Sequence, residues 1–414
     1  MKNMNAYRYL VLAAFLVAVS MVVISGCEYD VTQPLWEQDY QAPPTPRITQ
    51  VDPSPTATPG VNIITIRGEN FTVQPEINDV YFGKMLGEVV EYSDTSIKVR
   101  RPNLADTCTV KVAPHRAINV ARYGTLYKID PVIERYGSFL DATVVLSVVA
   151  ADQAENLYVV TAVTRDIVKV TADGQKTTIG RATRAPTDAR IGPDGRLYFP
   201  GNNRNIDVVD LATGAVTTWF QPQLPSGKLV KFGDFDANGY FYTGGTRTDL
   251  MIIAPDLTNR AAGVYPTTIG SENNDIVAIR VYNGYVYVAT RSTTTGPVTI
   301  WRHLIGAAGT LGPQEMMLDM STTPFASRSI RSLTFSANGL MYIATDSDDP
   351  ILIFNPATNS LDYFYKSIVP RFCKHFFWGA GNYIYLISGN NSATADLVQA
   401  WTVYRLDMGT TTAR

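Results

Sequence analysis

The stretch Asn283-Gly284-Tyr285-Val286-Tyr287-Val288 decides how most of this chain is read. Both residues of an Asn-Gly pair tolerate positive φ and make a tight turn, and the aromatic and β-branched run after it is a strand. Five more copies occur: Asn156-Leu157-Tyr158-Val159-Val160, Asp194-Gly195-Arg196-Leu197-Tyr198-Phe199, Asn238-Gly239-Tyr240-Phe241-Tyr242, Asn338-Gly339-Leu340-Met341-Tyr342-Ile343 and Gly381-Asn382-Tyr383-Ile384-Tyr385-Leu386. Their key tyrosines stand at 158, 198, 242, 287, 342 and 385. The period is therefore about 45 residues, which is what a four-stranded propeller blade requires. Each copy continues through a polar loop into a third apolar strand, as in Ile167-Val168-Lys169-Val170 and Ile206-Asp207-Val208-Val209. A turn such as Ala212-Thr213-Gly214 then leads to an outer strand.

A propeller must close its ring to remove its edges. The last copy ends at residues 401–406 with no fourth strand after it. Pro131-Val132-Ile133-Glu134-Arg135-Tyr136, before the first copy, has no blade of its own. It is expected to supply the outer strand of the sixth blade.

Upstream, short alternating segments succeed one another: Ile48-Thr49-Gln50-Val51, residues 61–67, Asp79-Val80-Tyr81-Phe82, residues 88–92, Ser96-Ile97-Lys98-Val99 and residues 108–112. About seven strands with turn residues between them describe a β-sandwich. The fold class expected is all-β, an N-terminal Ig-like sandwich followed by a six-bladed propeller.

Particular residues also carry family resemblances. Ile48-Thr49-x-Val51-x-Pro53, then Gly60, Ile66, Gly68, Asn70 and Phe71, then Val80-Tyr81-Phe82-Gly83 resemble the IPT/TIG immunoglobulin-like domain. That resemblance implies a spacer or interaction module. The six copies resemble NHL-type six-bladed propellers, including virginiamycin-lyase-like and gluconolactonase-like relatives. The gluconolactonase resemblance implies a channel metal held by Glu, Asn and Asp. Residues 129–414 offer only Glu134, Glu155, Glu272 and Glu315, none placed at the start of an inner strand, so no metal is expected. The lyase resemblance implies a general base. His375 is the one candidate, and a channel-lining or core histidine is the reading preferred for it; His303 reads as structural. No catalytic residue and no cofactor are assigned.

The N-terminus is similar to a bacterial lipoprotein signal. Lys2 and Arg8 precede an apolar run from Leu10 to Ile24, short of the ~20 residues a spanning helix needs. Ile24-Ser25-Gly26-Cys27 resembles a lipobox, which implies a lipid on Cys27. Glu28 after it does not signal inner-membrane retention, so the outer membrane is the expected location. The organisation expected is a signal peptide (1–26), a Pro-rich tether (27–46), an IPT/TIG domain (47–128) and the propeller (129–414).

Composition narrows the partners. Thirty-five basic against 37 acidic residues give a net charge of −2, so no nucleic-acid partner is expected. Cys108 and Cys373 read as two separate buried thiols rather than a bridge. Asp346-Ser347-Asp348-Asp349-Pro350 lacks the Gly and Glu of a calcium loop and reads as an acidic loop pairing with arginines.

Candidate ligand-binding residues come from topology. The loop after the second strand carries Arg165, Arg204, Arg247 and Arg291 in blades I–IV, with Asp346 and Asn390 at that place in blades V and VI. Loops entering the inner strands emerge on the same face with Lys228, Arg328, Arg331, Arg371 and Lys374. A concave mouth of that sign focuses its field on acidic ligands, with Trp378 or Trp219 as stacking surfaces. The competing reading has each arginine fastening a loop through a carboxylate such as Asp166, Asp188 or Asp249. The expected function is an envelope-anchored lipoprotein. It would bind a glycan or peptide, or an outer-membrane transporter partner, through the propeller mouth as an accessory to nutrient uptake. A propeller lyase or lactonase and a structural envelope subunit are the alternatives.

Overall fold

A computed structural model describes residues 10–17, 41–71, 78–115, 117–139, 144–201, 203–221, 224, 226–256, 264–265, 274–292, 297–389 and 401–412. The chain divides into two units, residues 1–44 and 45–414. In the first, residues 10–17 are helical. No helix among the described residues is long and apolar enough to cross a membrane. Cys27 and the rest of its motif lie outside the described residues.

The second unit opens with the sandwich. Arg47–Asp52, Ile63–Glu69, Ser96–Arg100 and Val89–Tyr92 form one sheet; Ala121–Arg122, Val110–Pro114, Asn78–Phe82 and Met85–Gly87 form the other. Alternation sets which side chains face inward: Ile64, Ile66, Val80, Phe82, Ile97, Val99, Val110 and Val112 are fully buried. Each contributes about 1.5–3 kcal/mol by leaving water. The run 108–112, expected as one strand, divides at Thr109. Thr107–Cys108 leaves to pair with Tyr127–Ile129, which also pairs in parallel with Thr56–Ala57.

The motif Gly68-Glu69-Asn70-Phe71 has a local cause. Phe71 is buried with its ring against Gly68, where a Cβ would lie 2.4 Å from the ring and 2.0 Å from the Arg47 carbonyl oxygen. Asn70 takes φ 60°, which its short side chain tolerates.

Six four-stranded antiparallel sheets follow. Their innermost strands are Leu146–Ala151, Arg190–Ile191, Leu229–Phe235, Asn274–Tyr282, Ile330–Phe335 and Cys373–Trp378, in blades I to VI, each adjoining the next around the ring. Leu146–Ala151 and the second strand Leu157–Thr161 are buried along their whole length, because neighbouring blades cover both faces. The periodic tyrosines pin the turns between first and second strands. The hydroxyls of Tyr158, Tyr198 and Tyr242 donate to Asp152 (2.9 Å), Asp194 (2.7 Å) and Asp236 (3.2 Å). Tyr385 of blade VI donates instead to Glu155 of blade I (2.7 Å), across the junction where the ring closes. A buried phenol without a partner would cost about 1–3 kcal/mol, so tyrosine and acid recur together.

Ile133–Tyr136 closes the ring. It pairs antiparallel with Thr402–Asp407, from Ile133 opposite Leu406 to Tyr136 opposite Val403. Glu134 and Arg405 form an ion pair on this outer ladder.

The sandwich rests on blades V and VI. Arg100 forks onto Asp362 (2.9 and 2.8 Å), and the Asn62 side chain donates to the Tyr363 carbonyl (2.8 Å) and accepts from the Tyr365 amide (3.0 Å). Gly409 has φ 62°, and a Cβ there would lie 2.0 Å from the Pro59 oxygen, so the two domains touch backbone to backbone.

Candidate functional site

Inner strands bring charged side chains to the propeller axis that no local pattern placed together. Around the axis, Asp188 and Arg190 of blade II meet Asp234 of blade III, Arg280 of blade IV and His375 of blade VI. Arg190 Nη1 lies 2.8 Å from Asp188, its Nε lies 3.4 Å from Asp234, and Arg280 Nη1 lies 3.2 Å from the other Asp234 oxygen. Asp188 is 2% exposed. Burial alone would raise its carboxyl, but Arg190, His375 and the Gly233 amide hold it below the usual carboxylate range.

His375 accepts the Val149 amide at Nδ1 (3.3 Å), so Nδ1 carries no proton and Nε2 donates to Asp188 (3.0 Å). Burial, with Arg190 and Arg280 nearby, pushes the imidazole below its ordinary range despite Asp188. Both ring nitrogens are committed inside the protein, so His375 is a buried network histidine and not a base open to substrate. His303 is likewise buried, with Nδ1 3.1 Å from the Gly312 carbonyl.

Cationic groups gather where the inner strands begin. Lys231, Arg291, Arg331 and Lys374 come from blades III, IV, V and VI. Burial pushes the Lys231 ammonium down; Asp275 opposes this, while Arg291 and Arg331 add to it. Lys374 is pushed down to about 8 by burial and then by Arg331. It donates to the Leu146 carbonyl (2.6 Å) and lies 4.8 Å from the Trp401 ring centre.

The other expected residues divide between mouth and scaffold. Arg204 and Arg247 are exposed, and neither side chain has a partner among the described residues. Arg165 donates to the Thr183 carbonyl. Arg331 pairs with Asp346 (2.8 Å) and Arg371 with Asp348 (3.1 Å). Arg328 donates to the Asp349 carbonyl (2.8 Å). The acidic loop is thus a fastening for blades V and VI. Asn390 and Glu272 lie outside the described residues.

Neither tryptophan stacks at this mouth. Trp378 ends its inner strand, at the opposite end of the channel from these loops. It is 2% exposed, packs edge-on to Tyr342 (5.4 Å) and donates to the Gly381 carbonyl (3.1 Å). Trp219 lies on an outer strand among Tyr198, Phe235 and Phe241. Cys108 and Cys373 are separate buried thiols. Among the described residues no group of three or more His, Cys, Asp or Glu could hold a metal ion.

No local sequence pattern assembles the channel cluster. Its signal was available in Arg190, Asp234 and Arg280, charges on inner strands where apolar residues are the rule.

Residues 46–125 match the family model of the IPT/TIG domain. The sandwich is an IPT/TIG domain. A comparison with curated protein sequences returns no match. Among solved structures, a luciferin-regenerating enzyme aligns at 14% identity over 67% of this chain and 95% of its own, with a TM-score of 0.52. Regucalcin, a calcium-binding protein from Agrobacterium tumefaciens, aligns at 14% identity over the same shares with a TM-score of 0.50. An auxiliary nutrient binding protein from Bacteroides thetaiotaomicron aligns at 11% identity over 87% of this chain and 97% of its own, with a TM-score of 0.48. At this identity the likeness to the first two is one of fold.

Proposed function

We propose that this protein is an envelope-anchored binding protein whose propeller mouth takes an anionic ligand, an acidic glycan or an anionic peptide. The observation that carries this reading is the convergence of Lys231, Arg291, Arg331 and Lys374 from four blades on one opening, where they outnumber the carboxylates beside them, Asp275 and the Asp346 that pairs with Arg331, in a chain of net charge −2. The exposed side chains of Arg204 and Arg247 lie on loops of the same face. Carboxylates fit such donors, Arg in bidentate fashion and Lys as a point charge. The lipobox at Ile24-Ser25-Gly26-Cys27 supports the anchor, and an outer-membrane transporter is the partner this arrangement suits.

Titration calorimetry of the full-length protein with trigalacturonic acid tests the reading. Binding is expected to weaken about tenfold in an Arg204→Ala, Arg247→Ala double variant, and to weaken as salt rises. Lys374 is charged below about pH 8, so affinity should also fall as pH rises through that value. Affinity indifferent to both the double substitution and salt would return these arginines to loop structure.

A further inference from the structure

The other end of the channel holds a cavity of about 700 Å3. Its floor is Phe377 and Arg280, its walls are the turns that follow the inner strands, and Asp152, Asp236 and Tyr282 face it. We infer that this cavity is a second binding site, for an uncharged, hydroxyl-rich ligand of the saccharide class. The inference is independent of the anionic mouth.

The floor has spare donors without spare charge. Arg280 meets Asp234 through Nη1, and its remaining N–H groups have no hydrogen-bond partner among the described residues. Behind it, two carboxylates (Asp188, Asp234) face two guanidiniums (Arg190, Arg280) around a neutral His375. The wall carboxylates are already satisfied. Asp152 accepts the amides of Ala154 and Asn156, the Asn156 side chain and the Tyr158 hydroxyl. Asp236 accepts the amides of Asn238 and Tyr240 and the Tyr242 hydroxyl. A charged ligand would lose its hydration here and gain no unpaired counter-charge.

The remaining chemistry suits a sugar ring. Phe377 is half-buried and lines the cavity, so the part of its ring edge not covered by the Arg190 and Arg280 guanidiniums (each 5.9 Å from the ring centre) is the apolar surface available to a pyranose. The Tyr282 ring is held by stacking on Phe335 (4.4 Å), and its hydroxyl has no partner among the described residues. The guanidinium fork, this hydroxyl and the turn backbones can meet hydroxyl groups as donors and acceptors. The volume falls within the ordinary range for ligand pockets, ~300–1,000 Å3, and suits a short oligosaccharide.

Titration calorimetry of the full-length protein with maltotriose, cellotriose and xylotriose tests this, with trigalacturonic acid as the charged counterpart. At least one neutral trisaccharide should bind. Arg280→Lys, which keeps the charge and loses the fork, should weaken it about tenfold, and so should Ala237→Trp, which fills the rim without touching the ion cluster. The Arg204→Ala, Arg247→Ala variant should leave it unchanged. If Arg280→Lys does not fold, Ala237→Trp alone decides. Failure of all three neutral sugars to bind, binding that survives Ala237→Trp, or binding lost with the mouth arginines would overturn the inference.

Discussion

At the scale of single residues, the channel cluster trades desolvation for mutual compensation. Asp188 and Arg190 are almost wholly buried, and each charge there is acceptable only because the others are present. Asp188→Asn should therefore destabilise the protein by about 3–5 kcal/mol in chemical denaturation, since it leaves Arg190 partly uncompensated. A loss below about 1 kcal/mol would mean that the cluster is solvated. His375 and His303 lie below their ordinary range in the folded protein, so the unfolded chain binds their protons first as pH falls. Stability should decline between about pH 7 and pH 5, and His375→Gln should flatten that slope. An unchanged slope in thermal melts across that window would place the titration elsewhere. Gly68→Ala should cost about 1–3 kcal/mol or more, because a methyl group meets the Phe71 ring and the Arg47 carbonyl at once.

At the scale of elements, the six copies and the closing strand were legible because they rest on local chemistry. Turn dipeptides, alternation and tyrosine periodicity are encoded within a few residues. The expectation that residues 131–136 complete blade VI followed from counting strands, and Ile133–Tyr136 lies on Thr402–Asp407. Deleting residues 129–137 should expose the outer edge of that sheet and cause aggregation, read by size-exclusion chromatography and melting temperature. A monomer with an unchanged melting temperature would show that closure contributes nothing. The small strands Thr56–Ala57 and Tyr127–Ile129 are not legible in the sequence: two- or three-residue strands carry no period, and their pairing is set by the ends of the sandwich.

At the scale of the whole molecule, the sandwich is fastened to the propeller rim through Arg100, Asn62 and the Gly60–Gly409 contact, and a lipid on Cys27 would join both to a membrane. Cys27→Ser should release the protein from the membrane fraction, and continued incorporation of labelled palmitate would reject the lipobox. The candidate arginines show where reading a sequence stops. Loop topology put them on one face, but whether each side chain faces solvent or a carboxylate depends on neighbours from other blades. Arg331 and Arg371 found Asp346 and Asp348, and Arg204 and Arg247 found no partner among the described residues. Trp378 is invisible to the mouth because the direction of its strand carries it to the far end. By itself the sequence determined the all-β class, the blade count and the IPT/TIG sandwich, which follow from patterns within one turn, strand or repeat, and the closing strand, which follows from the strand count that those repeats leave incomplete. Only the tertiary structure decided what fills the channel. Asp188 and His375 lie 187 residues apart and meet because six blades close into a ring, and no local pattern records which side chains that closure brings to the axis.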